Sequence, residues 1–110
     1  MKCGFIYIWE FIAAAGHICE FESMYGPEGE WAALFKLHPG YIGTELLRDG
    51  GNPRKFLTID RWESKQAYEE FRTLYKMRFA ELDALGEKLT EREARIGEFS
   101  PMDRESESSE

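Results

Sequence analysis

The chain of 110 residues has few of the side chains that usually mark a metal or redox site. Its two cysteines, Cys3 and Cys19, have neither zinc-type nor redox spacing, so we expect free thiols. The two histidines, His17 and His38, are too few and too badly spaced to hold a metal ion. The sequence therefore predicts no metal site.

Motifs for common enzyme chemistry are also missing. The sequence has no nucleophile elbow, no phosphate-binding glycine loop and no paired-carboxylate motif, so hydrolysis and hydride transfer lack support and no cofactor is expected.

No apolar run approaches the roughly 20 residues that cross a bilayer. The first residues, MKCGFIYIWEF, alternate like a strand and are not followed by a small-residue cleavage site. We expect a strand there instead of a signal peptide, and a cytoplasmic protein.

Positive charge is scarce. Fourteen Lys and Arg against 21 Asp and Glu give a formal net charge of −7, which argues against nucleic acid or an anionic membrane surface as a partner. The length predicts one domain, over residues 1–100. Residues 101–110, PMDRESESSE, can bury too little apolar surface to become ordered, so we expect a flexible acidic tail.

Aromatic residues are abundant, at 15%. The first strand, FIYIWEFI from Phe5, places aromatic side chains on one face and mostly isoleucines on the other, so both faces should be covered. The helices of the chain can cover one face, but a chain this short has no second sheet for the other. We therefore expect a homodimer.

Hydrophobic periodicity sets the order of the remaining elements. Gly26-Pro27 and Pro39-Gly40 mark turns, and Ser64 can cap a helix. The predicted elements are a strand from Phe5, a helix over 13–25, a short helix around Trp31, strands over 41–48 and 55–62, a long helix over 64–89 and a strand over 92–99. Core positions on the long helix would be Phe71, Leu74, Tyr75, Leu82, Leu85 and Leu89. This order predicts an α+β fold, the ferredoxin-like split βαβ arrangement with an antiparallel four-stranded sheet.

The junction between the third strand and the long helix is the predicted site, since a pocket often lies where a strand ends against a helix start. Asp60 and Arg61 point to opposite faces of that strand. An edge charge or an ion pair across the dimer seam is the favoured interpretation, and orientation of a polar ligand group is the alternative. Tyr and Trp carry polar groups that need partners when buried, so the many aromatics suit a cavity for a flat, partly polar molecule as well as a core. Candidate lining residues are Tyr7, Trp9, Trp31, Phe35, His38, Trp62, Tyr68, Phe71 and Tyr75.

The WESKQAY run at residues 62–68, with LTIDRWES and PGYIGTELLRD before it, resembles the antibiotic biosynthesis monooxygenase (ABM) family over roughly residues 5–99. The resemblance implies a dimeric α+β barrel, in which two ferredoxin-like sheets pack together and each subunit holds a pocket between sheet and helices. Cofactor-free members of the family oxidise a polycyclic phenol to a quinone, and the substrate itself donates an electron to dioxygen.

The resemblance implies catalytic roles for Trp62 and Tyr68, and it adds Thr58, at an asparagine position of the family site, to the substrate-binding residues. Leu47 and Leu82 occupy its histidine and arginine positions. The implied function is a cofactor-independent monooxygenase that acts on a small phenol- or quinol-type aromatic molecule and dioxygen.

A non-catalytic dimeric module that binds a small molecule or a protein partner is the alternative, which the missing polar residues favour. Haem degradation, found in another branch of the family, is less expected. At the positions where that branch has an asparagine, a tryptophan and the haem-ligating histidine, this chain has Trp9, Phe71 and Glu81.

Overall fold

A computed structural model describes residues 2–102 of the chain. The chain has four strands and four helical segments, and its strands and helical regions follow one another in the predicted order, which confirms the α+β, ferredoxin-like fold. The elements are β1 Phe5–Ala13, α1 Ile18–Tyr25, α2 Glu30–Phe35, β2 Tyr41–Arg48, β3 Lys55–Trp62, α3 Lys65–Leu74, α4 Lys76–Glu87 and β4 Thr90–Phe99.

The four strands form one antiparallel sheet in the order β2-β3-β1-β4. The central strands β1 and β3 pair with Phe5 opposite Trp62 and Phe11 opposite Phe56. All four of these side chains are buried on the helix-facing side, because residues two apart on a strand share a face. The core therefore lies between one face of the sheet and the helices.

Within residues 2–102, no helix covers the opposite face of the sheet. Ile6, Ile8 and Ile12 of β1 have the other parity from the buried phenylalanines, and in the pairing register they neighbour Arg61, Ile59 and Lys55. Leu47 on β2 is 42% exposed on the same face. The predicted bare apolar face is therefore present in a single copy of the chain.

The first helix begins later than predicted. Residues 13–17 belong to the end of β1 and a turn, and α1 begins at Ile18. The Ala13 N–H donates to the Arg54 carbonyl oxygen at 2.7 Å, which extends the strand, and Gly16 turns the chain with a positive φ of 83°. The prediction of a helix from residue 13 was wrong because alanines fit a strand end as well as a helix start.

The predicted long helix over 64–89 is two helices. Ser64 caps α3 as expected, since its Oγ accepts from the Ala67 N–H at 3.0 Å. Tyr75, at φ −117° and ψ 30°, leaves the helical region and separates α3 from α4. The break means that no single periodicity runs through both helices. Leu74 and Leu85, predicted to face the core, are 67% and 56% exposed.

Two further sequence predictions concern the termini and the thiols. Cys3 and Cys19 are free, as predicted. Of the predicted acidic tail, residues 101 and 102 are exposed and lie outside helices and strands, and residues 103–110 fall outside the described residues. No helix between residues 2 and 102 is both long and apolar enough to cross a membrane.

Candidate functional site

A cavity of about 280 Å³ lies between the helix-facing side of the sheet and the helices α2, α3 and α4. Its wall combines aromatic rings with a smaller set of hydroxyl and charged groups. The lining residues are Tyr7, Trp9, Phe11, Tyr25, Trp31, Phe35, Thr44, Thr58, Asp60, Tyr68, Arg72, Phe79, Asp83 and Glu93. An aromatic wall with a few convergent polar groups is typical of a small-molecule site.

The sheet supplies its polar lining residues through strand register. Asp60 on β3 lies between Tyr7 on β1 and Thr44 on β2, and Thr58 lies opposite Trp9. Paired residues on neighbouring strands point to the same face, so these side chains form adjacent rows on the cavity floor. The alternation of β3 therefore brings Thr58 and Asp60 to the cavity.

Asp60 is held by a short hydrogen-bond chain. The Thr44 hydroxyl donates to Asp60 Oδ1 at 2.6 Å, and the Tyr41 hydroxyl lies 2.7 Å from the Thr44 oxygen. Because Thr44 gives its only proton to the carboxylate, Tyr41 must donate to Thr44. Burial raises the pKa of Asp60 to about 6, and the hydrogen bond from Thr44 opposes that rise.

Tyr68 and Arg72, one helical turn apart on α3, form the polar wall opposite the sheet. Arg72 donates to the Tyr68 hydroxyl oxygen at 3.0 Å, and its guanidinium carbon lies 3.8 Å from the centre of the Phe79 ring. Burial raises the pKa of Tyr68, although the hydrogen bond and charge of Arg72 act in the other direction. Tyr68 therefore stays protonated at neutral pH and can donate a hydrogen bond.

Acidic side chains mark the other end of the cavity. Burial raises the pKa of Tyr25 to about 12, and the negative charges of Glu93, Asp83 and Glu87 contribute further. The nearby indole N–H of Trp31 acts in the other direction and lowers the pKa of Tyr25. Within residues 2–102, however, this N–H makes no hydrogen bond of good geometry. Burial also raises the pKa of Glu93, with Asp83 and Glu87 adding to it. The same carboxylates would repel an anionic ligand.

The structure brings together six of the ten predicted site residues. Those that line the cavity are Tyr7, Trp9, Trp31, Phe35, Thr58 and Tyr68. Trp62 does not line it. Its side chain is fully buried behind the cavity wall, with its ring 5.3 Å from that of Tyr68, and its indole N–H has no hydrogen-bond partner in the part of the chain that the structure describes. Trp62 thus supports Tyr68 from behind.

The other three predicted residues also lie outside the cavity lining. His38 is buried in a turn, where Nδ1 accepts from the Gly40 N–H at 2.9 Å, and its Nε2 lies 4.0 Å from Glu70. Phe71 is fully buried, and its ring lies 5.2 Å from that of Trp62. Tyr75 packs against Phe71 and donates to the Leu37 carbonyl oxygen.

Several lining residues were missing from the predicted set, namely Phe11, Tyr25, Thr44, Asp60, Arg72, Phe79, Asp83 and Glu93. Asp60 had a usable sequence signal, because it shares strand parity with Thr58 and Trp62. Thr44 follows only from the pairing of β2 with β3, and Phe79 only from the position of α4 after the break at Tyr75. Within residues 2–102 no three His, Cys, Asp or Glu side chains cluster as metal ligands.

Known protein families and solved structures include proteins that are similar to this chain. The family model described as antibiotic biosynthesis monooxygenase matches residues 29–93. No match is found among curated proteins. Solved structures share the fold at low sequence identity.

Three similar structures illustrate that likeness. SnoaB, a cofactor-independent oxygenase from Streptomyces nogalater, is 22% identical with a TM-score of 0.75, over 93% of this chain and 96% of that one. PA3566 from Pseudomonas aeruginosa is 19% identical with a TM-score of 0.67, over 94% and 98% of the two chains. Rv0793 from Mycobacterium tuberculosis is 16% identical with a TM-score of 0.66, over 90% and 95%.

Proposed function

The chain belongs to the antibiotic biosynthesis monooxygenase family, and on that premise we propose that it oxidises a phenol- or quinol-type aromatic molecule with dioxygen and without a cofactor. The observation that carries the proposal is the cavity, in which aromatic rings surround polar groups that include Asp60 and the Tyr68–Arg72 pair. A flat hydroxylated molecule can stack on the rings and present its oxygen to these groups. A cytoplasmic location is part of the same proposal.

The proposed reaction balances with dioxygen as the only co-reactant. A phenol with a free ring C–H, or an anthrone with a CH₂ group, takes one oxygen atom from O₂ to become a quinone, and the second oxygen atom leaves as water. Deprotonation of the substrate raises its electron density, and one electron then passes to O₂ before the carbon–oxygen bond forms. The protein's part is to orient the substrate and stabilise the charge that develops.

Tyr68 and Arg72 supply that stabilisation in this proposal. The Tyr68 hydroxyl accepts from Arg72 and keeps its own proton, so it can donate to an oxygen atom of the substrate or of reduced dioxygen. Trp62 has a positioning role, since its ring packs 5.3 Å from that of Tyr68 and limits the movement of the tyrosine side chain. Thr58, on the cavity floor, can donate a second hydrogen bond.

Cavity size and charge narrow the proposed substrate. A cavity of about 150 Å³ in another protein holds benzene, so about 280 Å³ suits a molecule of two to three fused rings. Among the lining residues that lie within the described range 2–102, the acidic residues Asp60, Asp83 and Glu93 outnumber the one basic residue, Arg72. The proposed substrate is therefore uncharged before it reacts and carries hydroxyl groups instead of a carboxylate.

The proposal includes a homodimer formed through the bare face of the sheet. Ile8, Leu57 and Ile59 form an apolar patch at the centre of that face, and ion pairs lie toward its edges, Arg61 with Glu45 at 2.5 Å and Lys55 with Glu10 at 3.2 Å. Large exposed apolar patches usually mark interaction sites. A second copy of the chain offers the same face and can bury it.

Oxygen consumption tests the proposed reaction. We expect purified protein to consume one O₂ per quinone formed from anthrone or 1-naphthol, measured with an oxygen electrode against heat-denatured protein. Tyr68→Phe removes a hydrogen-bond donor to developing charge and should lower kcat about 10²-fold. Trp62→Phe should lower it less, because it only loosens Tyr68. No uptake above buffer with either substrate would contradict the proposal.

A second candidate function is a non-catalytic module that binds an aromatic metabolite. The observation in its favour is that Leu47 and Leu82 replace the polar side chains expected at two positions of the family's oxygenase site, and Leu47 points to the bare face. This candidate predicts tight binding of 1-naphthol without oxygen consumption. Calorimetric titration beside the oxygen electrode separates the two functions.

A further inference from the structure

We propose that Asp60 is the base that takes the proton of the substrate hydroxyl, with Thr44 and Tyr41 holding its carboxylate in position. The inference rests on the proposed function, since it requires a hydroxylated aromatic molecule in the cavity. It assigns the proton transfer to the sheet side of the cavity and leaves Tyr68 on the helix side as a hydrogen-bond donor. Neither the family match nor the predicted site residues assign this role.

Asp60 has the placement that a base requires. It lies on the helix-facing side of β3, between Tyr7 and Thr44 in the cross-strand row, and it lines the cavity. Its neighbour Arg61 points to the other face and pairs with Glu45. In the part of the chain that the structure describes, Asp60 forms no salt bridge. Asp60 is partly buried, and a carboxylate in a cavity with a perturbed pKa is a candidate functional group.

The hydrogen bonds leave one carboxylate oxygen available. Thr44 donates to Oδ1, and Tyr41 donates to Thr44, so this chain fixes the carboxylate from the side of β2. Oδ2 has no hydrogen-bond partner among residues 2–102 and remains for the substrate. A base must lie within hydrogen-bond reach of the proton that it abstracts, and a fixed carboxylate on the cavity floor meets that requirement.

The surroundings of Asp60 disfavour its ionised form, because burial outweighs the hydrogen bond from Thr44. Those that face it or lie just beyond its neighbours are Tyr7 from β1, Tyr41 and Thr44 from β2, Tyr68 and Arg72 from α3, and Arg95 and Glu98 from β4. Burial raises the pKa of Asp60 to about 6 and also raises that of Tyr68. At neutral pH Asp60 is therefore mostly ionised while Tyr68 keeps its proton, the division expected of a base and a donor in one site.

The proton transfer balances without another reactant. The substrate O–H bond breaks, a bond forms between that hydrogen and Asp60 Oδ2, and the electron pair stays on the substrate oxygen. The phenolate that results is more easily oxidised than the phenol and can give an electron to dioxygen. Once Asp60 is protonated, it can return its proton to reduced dioxygen as water leaves.

Ligand binding tests the assignment independently of turnover. The probes are 1-naphthol and 1-methoxynaphthalene, titrated into the full chain by calorimetry at about pH 7.5 and about pH 5, on either side of the titration of Asp60. A hydrogen bond to a charged group should make wild-type protein bind 1-naphthol about tenfold or more tightly than the ether at the higher pH. The ratio should fall toward one at the lower pH, where Asp60 is protonated.

Asp60→Asn should abolish the preference for 1-naphthol at both pH values, because an amide NH₂ in place of Oδ2 cannot accept the hydroxyl proton. Asp49→Asn, a matched change in the exposed turn before β3, should keep it. A preference that survives in Asp60→Asn, or that wild type never shows, would overturn the assignment.

Thr44→Val supplies a second variant that keeps the carboxylate. The Thr44 hydrogen bond lowers the pKa of Asp60, so its loss should move the midpoint of the naphthol preference to higher pH. The pH dependence of turnover gives a further test. In wild-type protein kcat/KM should fall as the pH is lowered through about 6, and in Asp60→Asn this fall should be absent. A fall that persists in Asp60→Asn would contradict the role of Asp60. A pH-dependent preference without oxygen consumption would instead support Asp60 as the acceptor and contradict the proposed function.

Discussion

Asp60 and Arg61 show how one step along a strand separates a cavity residue from a surface ion pair. Both are charged and adjacent, yet Asp60 bonds to Thr44 inside the cavity and Arg61 pairs with Glu45 at 2.5 Å on the bare face. Strand parity predicts that they point apart. It does not predict which of them faces the cavity, since that depends on where the helices lie.

The surroundings of Asp60 predict an effect on stability as well as on function. Its pKa is about 6 in the folded protein against an ordinary value of 3.8 for an aspartate, so the folded state binds the proton more tightly than the unfolded chain does. The free energy of unfolding should therefore decrease as pH rises from about 4 to about 6. Above that window, ionised Asp60 destabilises the fold.

Asp60→Asn should remove the destabilisation that ionised Asp60 causes. We expect the variant to be more stable than wild type by roughly 1 to 3 kcal/mol near pH 7.5, with the difference vanishing near pH 4, because a shift of two pKa units corresponds to about 2.7 kcal/mol. Urea denaturation at the two pH values measures it, and Asp49→Asn serves as the control. A variant less stable than wild type near pH 7.5 would show that Asp60 is a structural residue.

At the scale of elements, the strands were more predictable than the helices. The bounds of β2 and β3 agree with the sequence pattern, because alternation and turn residues bound each strand. The break at Tyr75 was not predictable, since neither Gly nor Pro marks it and the Tyr75 side chain is instead engaged with Phe71 and the Leu37 carbonyl. The cavity end formed by Phe79 and Asp83 depends on that break and was missed for the same reason.

Gly86 near the end of α4 gives a test at this scale. A methyl group there would collide with the hydroxyl of Tyr25, whose ring is stacked 4.4 Å from that of Phe21 and cannot easily move. Gly86→Ala should therefore destabilise the protein by about 1 to 3 kcal/mol, although alanine is the better helix former by about 1 kcal/mol.

Urea denaturation of Gly86→Ala against wild type measures this effect. Leu85→Ala, one position earlier and 56% exposed, should change stability by less than about 0.5 kcal/mol. If Gly86→Ala were as stable as wild type, Tyr25 would not be held where the structure places it, and the end of the cavity would be mobile.

At the scale of the whole molecule, the sequence predicted an aromatic cavity but only part of its polar lining. Tyr7, Trp9 and Thr58 could be predicted from strand parity and family resemblance, because each lies on one strand. The polar arrangement needs two strands and a helix together, since Thr44, Asp60 and Arg72 come from β2, β3 and α3. No local pattern in the sequence encodes those distances.

Assembly of two copies is tested on the bare sheet face. Sedimentation velocity should give wild-type protein twice the mass of one chain, and Ile59→Asp should give a single chain, because a carboxylate at the centre of the proposed interface would lose its hydration. Leu74→Asp, at a position 67% exposed on α3, is the matched control and should stay dimeric. Wild-type protein that sediments as a single chain would contradict the proposed dimer.

The source of the oxygen atom tests the central claim most directly, namely that the cavity lets an aromatic substrate react with dioxygen. Anthrone is incubated with wild-type protein under ¹⁸O₂ in ordinary water, and the mass of the quinone is measured by mass spectrometry. The quinone that forms with heat-denatured protein is subtracted as background. We predict that the enzymatic product contains one ¹⁸O atom and that its rate of formation falls about 10²-fold in Tyr68→Phe. Quinone formed no faster than in the control, or with its new oxygen from water, would contradict the account.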